Sequence, residues 1–243
     1  MKKKLFVVSD IHGHYTEMMS ALEVAGFDAT NEDHIFVSCG DLFDRGVENA
    51  LVYEFVTGLE RKILIRGNHE DMLHKVLTSG AITSVELYNG TDLTVMELLG
   101  EEALDSKGCF DREAYSETVI ELTAFIDSMV NYYESDGYVF THGWLPIKWQ
   151  DGRPRIDAMW REASAEDWKE ARLLEWQQFY DARIMLEGKT IVCGHRAARL
   201  GHMFDDTRDH NCSEPFYGDG VIAIDAGTIR SGRVNVLVIP SEG

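Results

Sequence analysis

The chain has 243 residues, 42 Asp plus Glu against 23 Lys plus Arg for a net charge of −19, a hydrophobic fraction of 44% and four prolines. It is long enough for a sizeable core and lies outside the disordered class. Its acidity excludes the mode of nucleic-acid binding that neutralises phosphates with a cationic face, so no nucleic acid polymer and no anionic membrane is expected as a partner.

At the N-terminus the apolar run 5–8 stops at Ser9-Asp10, too short for a secretory core. No later run reaches the roughly 18 apolar residues of a membrane span. Cys39, Cys109, Cys193 and Cys212 lie far apart without a C-x-x-C pair, which argues against a disulfide framework and a cysteine zinc site. A cytoplasmic protein is expected.

Along the chain one pattern recurs: a short apolar run that ends abruptly in residues able to bind metal or phosphate. Run 5–8 leads into Ser9-Asp10-Ile11-His12-Gly13, run 34–38 into Gly40-Asp41, and run 62–65 into Gly67-Asn68-His69-Glu70. Run 138–140 precedes His142-Gly143, and run 190–193 precedes Gly194-His195. Such runs read as strands buried on both faces, as parallel strands covered by helices are. Between the first three lie helical spacings, Tyr15, Met18, Met19, Leu22 and Ala25, then Leu51, Phe55, Val56 and Leu59, giving a βαβαβ opening. Residues 70–136 are helix-like and hold fifteen acids against three bases, a net −12 that reads first as a solvated helical face. Two further strands, 221–224 and 234–239, close the chain without helical text between them. In open α/β sheets ligands collect beyond the carboxyl ends of the strands, where all five polar clusters fall.

Asp10 and His12, two apart at a strand end, leave it on the same side. Asp41, Asn68, His142 and His195 add four N/O ligands at other strand ends. Carboxylate, amide and imidazole without thiolate favour Mn, Fe or Zn. Six ligands suit two ions sharing a carboxylate, an arrangement that hydrolyses phosphoesters by in-line displacement. Arg45 brings a planar cation that can hold two phosphate oxygens, and His69 is free to act as a general acid oriented by Asp44.

The blocks Asp10-Ile11-His12-Gly13, Gly40-Asp41-Leu42-Phe43-Asp44-Arg45-Gly46 and Gly67-Asn68-His69-Glu70, followed by His142-Gly143 and Gly194-His195, resemble those of the calcineurin-like metallophosphoesterases. Within that family the likeness is to the phosphoprotein phosphatase branch and its small bacterial and phage members, such as the lambda phage protein phosphatase. The resemblance implies an α/β fold, a β-sandwich flanked by helices, here one domain over 1–243 with a helical acidic insertion at about 70–136. It implies a first metal on Asp10, His12 and Asp41 and a second on Asp41, Asn68, His142 and His195, two divalent ions held without thiolate and most simply Mn, with Fe or Zn as alternatives. A hydroxide bridging the ions would attack the phosphorus, Arg45 would clamp the phosphate, and His69 with Asp44 would protonate the leaving group. A second phosphate-binding arginine is expected between the last two histidine motifs; Arg161, after Trp160, is the choice, with Arg153 and Arg155 open. The implied activity is a protein serine/threonine phosphatase, to which Glu70 after His69 inclines the reading. A diadenosine tetraphosphate or other nucleotide phosphohydrolase is the alternative, and a non-catalytic scaffold a third reading.

Other residues carry plainer expectations. His14, His34, His74, His202 and His210 are expected to pack or to sit at the surface, and Cys39 and Cys193 to be inert buried thiols. Trp144 lines the pocket mouth or packs ordinarily, and Asp225 and Gly227 satisfy a turn. The acidic segment, if it reaches the substrate, would favour basic flanking residues.

Overall fold

Strands β1 (Lys3–Val8), β2 (His34–Ser38) and β3 (Lys62–Leu64) form at the first three apolar runs and pair in parallel, β1 with β2 and β2 with β3. The computed structural model describes residues 3–105, 108–110, 112–203, 209 and 211–241; His210 lies outside them. Helices α1 (Tyr15–Ala25) and α2 (Asn49–Gly58) make the two crossovers, with Met18 and Leu22 of the one and Val52 and Val56 of the other on buried faces. After β3 come α3 (Asn68–Ser79), α4 (Ser84–Asn89), α5 (Thr91–Leu99) and α6 (Ser116–Asp127), of which α3, α5 and α6 pack with α1 and α2 in one apolar cluster.

A second sheet begins at β4 (Tyr133–Ser135) and β5 (Tyr138–Phe140). A separate hairpin of β6 (Ile147–Gln150) and β7 (Arg153–Ile156) follows, then helices α7 (Ala165–Arg172) and α8 (Trp176–Asp181). The second sheet is completed by β8 (Thr190–Cys193), β9 (Phe216–Gly218) and β10 (Val221–Ala223), in the order β4-β5-β8-β10-β9. Short helices α9 (Arg199–His202) and α10 (Thr228–Ser231) lie on either side of β9 and β10 in the chain. The last strand, β11 (Leu237–Ser241), returns to the first sheet antiparallel to β1.

The two sheets face one another. In β1 the alternation is clean: Leu5 and Val7 join Val37, Phe140, Val192 and Ile222 between the sheets, while Phe6 and Val8 point outward into the helical cluster. Outside the second sheet, Trp144, Trp160, Trp168 and Trp176 pack with Phe179. Each such buried side chain contributes about 2 kcal/mol, so both sheets are held rigidly under the loops at their ends. This is the helix-flanked β-sandwich the resemblance implied. It differs from one continuous parallel edge: three of the polar clusters end strands of the first sheet and two end strands of the second. A strand apolar on both faces does not reveal whether helix or sheet covers it, which is why the runs alone showed no division.

Two smaller differences are local. The closing strand runs Leu237–Ser241, and just before it the Asn235 side-chain amide ties the chain to the Ser213 and Ile224 carbonyls. The acidic stretch is more than a solvated face: Glu70 and Glu86 are buried, and Asp71 and Glu97 bond inward. No helix among the described residues is long and apolar enough to cross a membrane.

Candidate metal centre

Beyond the ends of β1 and β2 the loops stay tied backbone to backbone. The Asp10 N–H donates to the Gly40 carbonyl at 3.0 Å, His12 N–H to Asp41 at 3.0 Å and Gly13 N–H to Leu42 at 2.8 Å. Among the described residues eight non-glycine residues have positive φ, and six of them are Asp10, His12, Asp41, Asp44, Arg45 and His195. That conformation costs an L-residue about 1–2 kcal/mol, and its concentration here marks a site held in place by its surroundings. Two glycines are fixed by space. A Cβ on Gly40, itself at φ 90°, would stand 2.7 Å from His142 Nδ1, and one on Gly194 would stand 2.1 Å from Asp10 Oδ2.

Asp41 is the centre of the cleft. Its Oδ2 lies 3.3 Å from His142 Nε2, 3.8 Å from His12 Nε2 and 3.9 Å from His69 Nε2. Asp10 Oδ1 is 3.9 Å from His12 Nε2, and Asn68 Oδ1 is 2.9 Å from His142 Nε2. The His195 ring centre is 5.1 Å from that of His142, and the His195 backbone N–H donates to Asp10 Oδ2 at 2.9 Å. Two groups therefore share Asp41: His12, Asp41 and His69, and Asp41, His142 and His195, each with ligand atoms within 4.8 Å of one another. Nδ1 of His12 is 2.9 Å from the Phe43 carbonyl and Nδ1 of His142 is 2.7 Å from that of Cys39, so each ring donates there and turns Nε2 to the cleft. All six residues expected as ligands come together.

The electrostatics fit a divalent pair. Burial pushes the Asp10 carboxyl well up, helped by nearby Asp225, and burial raises Asp225 to about 6. Burial also works against charge on Asp41 and His142, yet their mutual attraction wins, holding Asp41 well below the usual carboxylate range and lifting His142 to about 10. Buried carboxylates outnumber cations here, the imbalance that bound metal ions relieve. In the metal-free protein a proton on His142 does part of that work. Binding of a divalent metal at pH 7 should therefore release protons, read as buffer-dependent heats in calorimetry. The His142 contribution to stability is complete below its unfolded pKa of about 6.5 and is lost as pH rises through about 10. Metal-free protein should accordingly lose Tm between pH 7 and 10, and manganese-loaded protein should lose less.

Glu70 sets the geometry from below. Its carboxylate accepts the N–H groups of Gly67 at 2.7 Å, Leu42 at 2.8 Å and Asp41 at 2.9 Å, locking the Asp41 loop to the start of α3. Nothing in the sequence distinguished this role from a family mark.

His69, the second residue of α3, has Nδ1 2.7 Å from Asp44 Oδ2. Asp44 is wholly buried and accepts the Thr91 hydroxyl at 2.8 Å and the Thr94 hydroxyl at 2.7 Å. Both threonines are on α5, and Glu97 of the same helix accepts the Asn49 N–H at 2.6 Å, so the insertion buttresses the loop 44–49. The spacing of Thr91 and Thr94 puts them on one helix face, but only the fold aims that face at Asp44. Replacing both by valine should lower kcat about tenfold, by loosening the carboxylate that orients His69, and steady-state kinetics should show KM little changed.

Arg45 lines the cleft, with Nη1 3.2 Å from His12 Nε2 and Nη2 donating to Asn89 Oδ1 at 3.3 Å. Arg161 is not brought there. Its guanidinium forks onto Glu134 at 2.6 and 2.9 Å and lies 4.3 Å over the Trp160 ring. Arg153 and Arg155 border a separate groove beside β7. The arginines that do line the cleft, besides Arg45, are Arg196, Arg199 and Arg230, all after the last histidine motif. Sequence order misled here because Arg161 has a carboxylate partner that only the fold supplies.

The plainer expectations fall as follows. Trp144 packs, stacked on Phe179 at 5.2 Å. Burial pushes the Cys39 and Cys193 thiols up, which leaves them unreactive. His14 meets the His12 carbonyl, His34 accepts the Asp28 N–H, His74 lies 3.2 Å from Asp127 and His202 meets the Glu214 carbonyl. Asp225 does hold its turn, accepting the Gly227 N–H at 2.6 Å, but it also borders the cleft as a buried carboxylate.

The calcineurin-like phosphoesterase family model matches residues 3–216. The asymmetrical bis(5'-nucleosyl)-tetraphosphatase PrpE of Bacillus subtilis (strain 168) is 34% identical over 101 residues, 38% of this chain and 40% of that protein. The symmetrical bis(5'-nucleosyl)-tetraphosphatase of Coxiella burnetii (strain RSA 493 / Nine Mile phase I) is 25% identical over 149 residues, 60% of this chain and 44% of that protein. The chain thus spans 40% and 44% of the length of these two curated relatives. Among solved structures, a putative diadenosine tetraphosphatase has a TM-score of 0.57 at 15% identity, covering 99% of this chain and 95% of that one. The cold-active protein-tyrosine phosphatase of a psychrophilic Shewanella species has a TM-score of 0.56 at 15% identity, covering 99% and 76%. At these identities the likeness is one of fold.

Proposed function

The chain belongs to the calcineurin-like phosphoesterase family, and from that membership we propose a two-metal phosphomonoesterase whose first substrates are phosphoserine and phosphothreonine in proteins. The observation that carries the reading is Asp41, one carboxylate oxygen 3.3 to 3.9 Å from three imidazole nitrogens. Asp10, His12 and Asp41 would hold one ion, and Asp41, Asn68, His142 and His195 the other, with manganese the first choice and iron or zinc compatible with the donors. Bound ions would supply a nucleophile at neutral pH and neutralise charge on the phosphoryl oxygens. Arg45 binds two of those oxygens, and His69, held by Asp44, gives its Nε2 proton to the departing oxygen.

A general acid fixed this firmly is of most use against a poor leaving group, and the alkoxide of serine is one. That favours the phosphomonoester reading. The second reading, a nucleotide anhydride hydrolase, is favoured by the names of the sequence relatives. With manganese added, p-nitrophenyl phosphate should be hydrolysed; inactivity with every divalent metal tried would defeat both. The ratio of kcat/KM for a phosphoserine peptide to that for diadenosine tetraphosphate then separates them, a ratio well below one selecting the nucleotide.

A further inference from the structure

Arg199 and Arg230 both line the metal cleft, a cavity of about 260 Å³, and both also line an adjoining cavity of about 150 Å³. Asn211, Ser213 and Ser231 add polar side chains to the second cavity, beside Cys212, Ala226 and Gly227. Among the described residues neither guanidinium has a salt bridge or hydrogen bond, whereas Arg66, Arg161, Arg172 and Arg196 each engage a carboxylate. In a chain with nearly twice as many acids as bases, two arginines left side by side without an anion call for one from outside.

Both are fixed relative to the metal ligands. Arg199 follows His195 by four residues, and the Ala198 N–H donates to the Asp225 carbonyl at 2.8 Å. Arg230 lies on α10, whose first residue, Thr228, donates its hydroxyl to the Asp10 carbonyl at 2.8 Å. The cavity beyond them has room for an oxyanion, being several times the roughly 30 Å³ share of one water.

We propose that Arg199 and Arg230 form a second phosphate subsite, which binds a phosphate group of the substrate other than the one being hydrolysed. The inference rests on the hydrolytic reading of the metal cleft. It sets the substrate class: molecules with two phosphate groups close together, either neighbouring phosphorylated residues of a peptide or the remainder of a condensed phosphate chain.

The test compares the manganese-loaded wild type with Arg199→Gln/Arg230→Gln and with Arg230→Gln alone, whose site is exposed and tolerant of change. Substrates are used in pairs: singly and doubly phosphorylated serine peptides, and p-nitrophenyl phosphate with diadenosine tetraphosphate. In the double variant kcat/KM for the substrate with more phosphate groups should fall about 30-fold relative to its partner. A fall confined to the peptide pair assigns the second phosphate to a peptide, and one confined to the other pair assigns it to a condensed chain. Equal changes within both pairs would overturn the subsite. A wild type inactive on all four would defeat the hydrolytic reading alone, and calorimetry then decides the subsite. Inorganic tripolyphosphate should bind the metal-free wild type at least tenfold more tightly than the double variant, and equal affinities would overturn it.

Discussion

Asp41→Asn should reduce kcat on p-nitrophenyl phosphate by on the order of 10⁴-fold, the scale on which removal of a central catalytic group acts. Among the described residues no other enters both candidate ligand groups, since Asp41 Oδ2 faces His12, His69 and His142 at once. An amide keeps the size but loses the negative charge that draws two cations together. The accompanying measurement is metal content: the wild type should hold two manganese ions per chain and the variant fewer than one. A variant that retains two ions and most of its activity would remove Asp41 from the centre of the proposal. Asp41 Oδ1 also accepts the His69 N–H at 3.0 Å, a bond asparagine can keep through its carbonyl, so the fold should survive.

His69→Asn should slow phosphoserine hydrolysis by roughly 10²–10⁴-fold, the usual worth of a positioned general acid. On p-nitrophenyl phosphate, whose leaving group scarcely needs a proton, the loss should be far smaller. The contrast matters because His69 Nε2 is close enough to Asp41 to serve as a ligand instead. The 2.7 Å contact of its Nδ1 with Asp44 suits either role. Metal content separates them: unchanged stoichiometry with a leaving-group-dependent loss assigns the acid, and equal losses on both substrates with metal depletion assign a ligand.

The helical insertion has a part in both experiments. Its acidity suggested either a solvated face or a surface that selects basic substrates. The structure gives several of these acids internal work, Glu70 beneath Asp41, Glu86 paired with Lys75, and Glu97 on Asn49. Thr91, Thr94 and Asn89 extend that support to Asp44 and Arg45. The segment thus braces the loop 44–49 through hydrogen bonds, whatever it does for substrate choice.

The sequence by itself determined the local features. Apolar runs bounded by glycine and metal-competent residues located β1, β2, β5 and β8 and the candidate ligands that follow them, because a strand end and a left-handed turn are short-range events with short-range signals. It determined the βαβαβ opening for the same reason, three-and-four spacing being readable within one helix. Only the tertiary structure decided that the strand ends belong to two facing sheets, since burial on both faces looks the same under helix or sheet. It alone decided which arginines line the candidate metal cleft without a partner among the described residues. The sequence favours Arg161, but Glu134 neutralises it at 2.6 Å while Arg230 lines the cleft. The charge available at a site depends on which partners the fold brings within a few ångströms, and that is a property of long-range contacts.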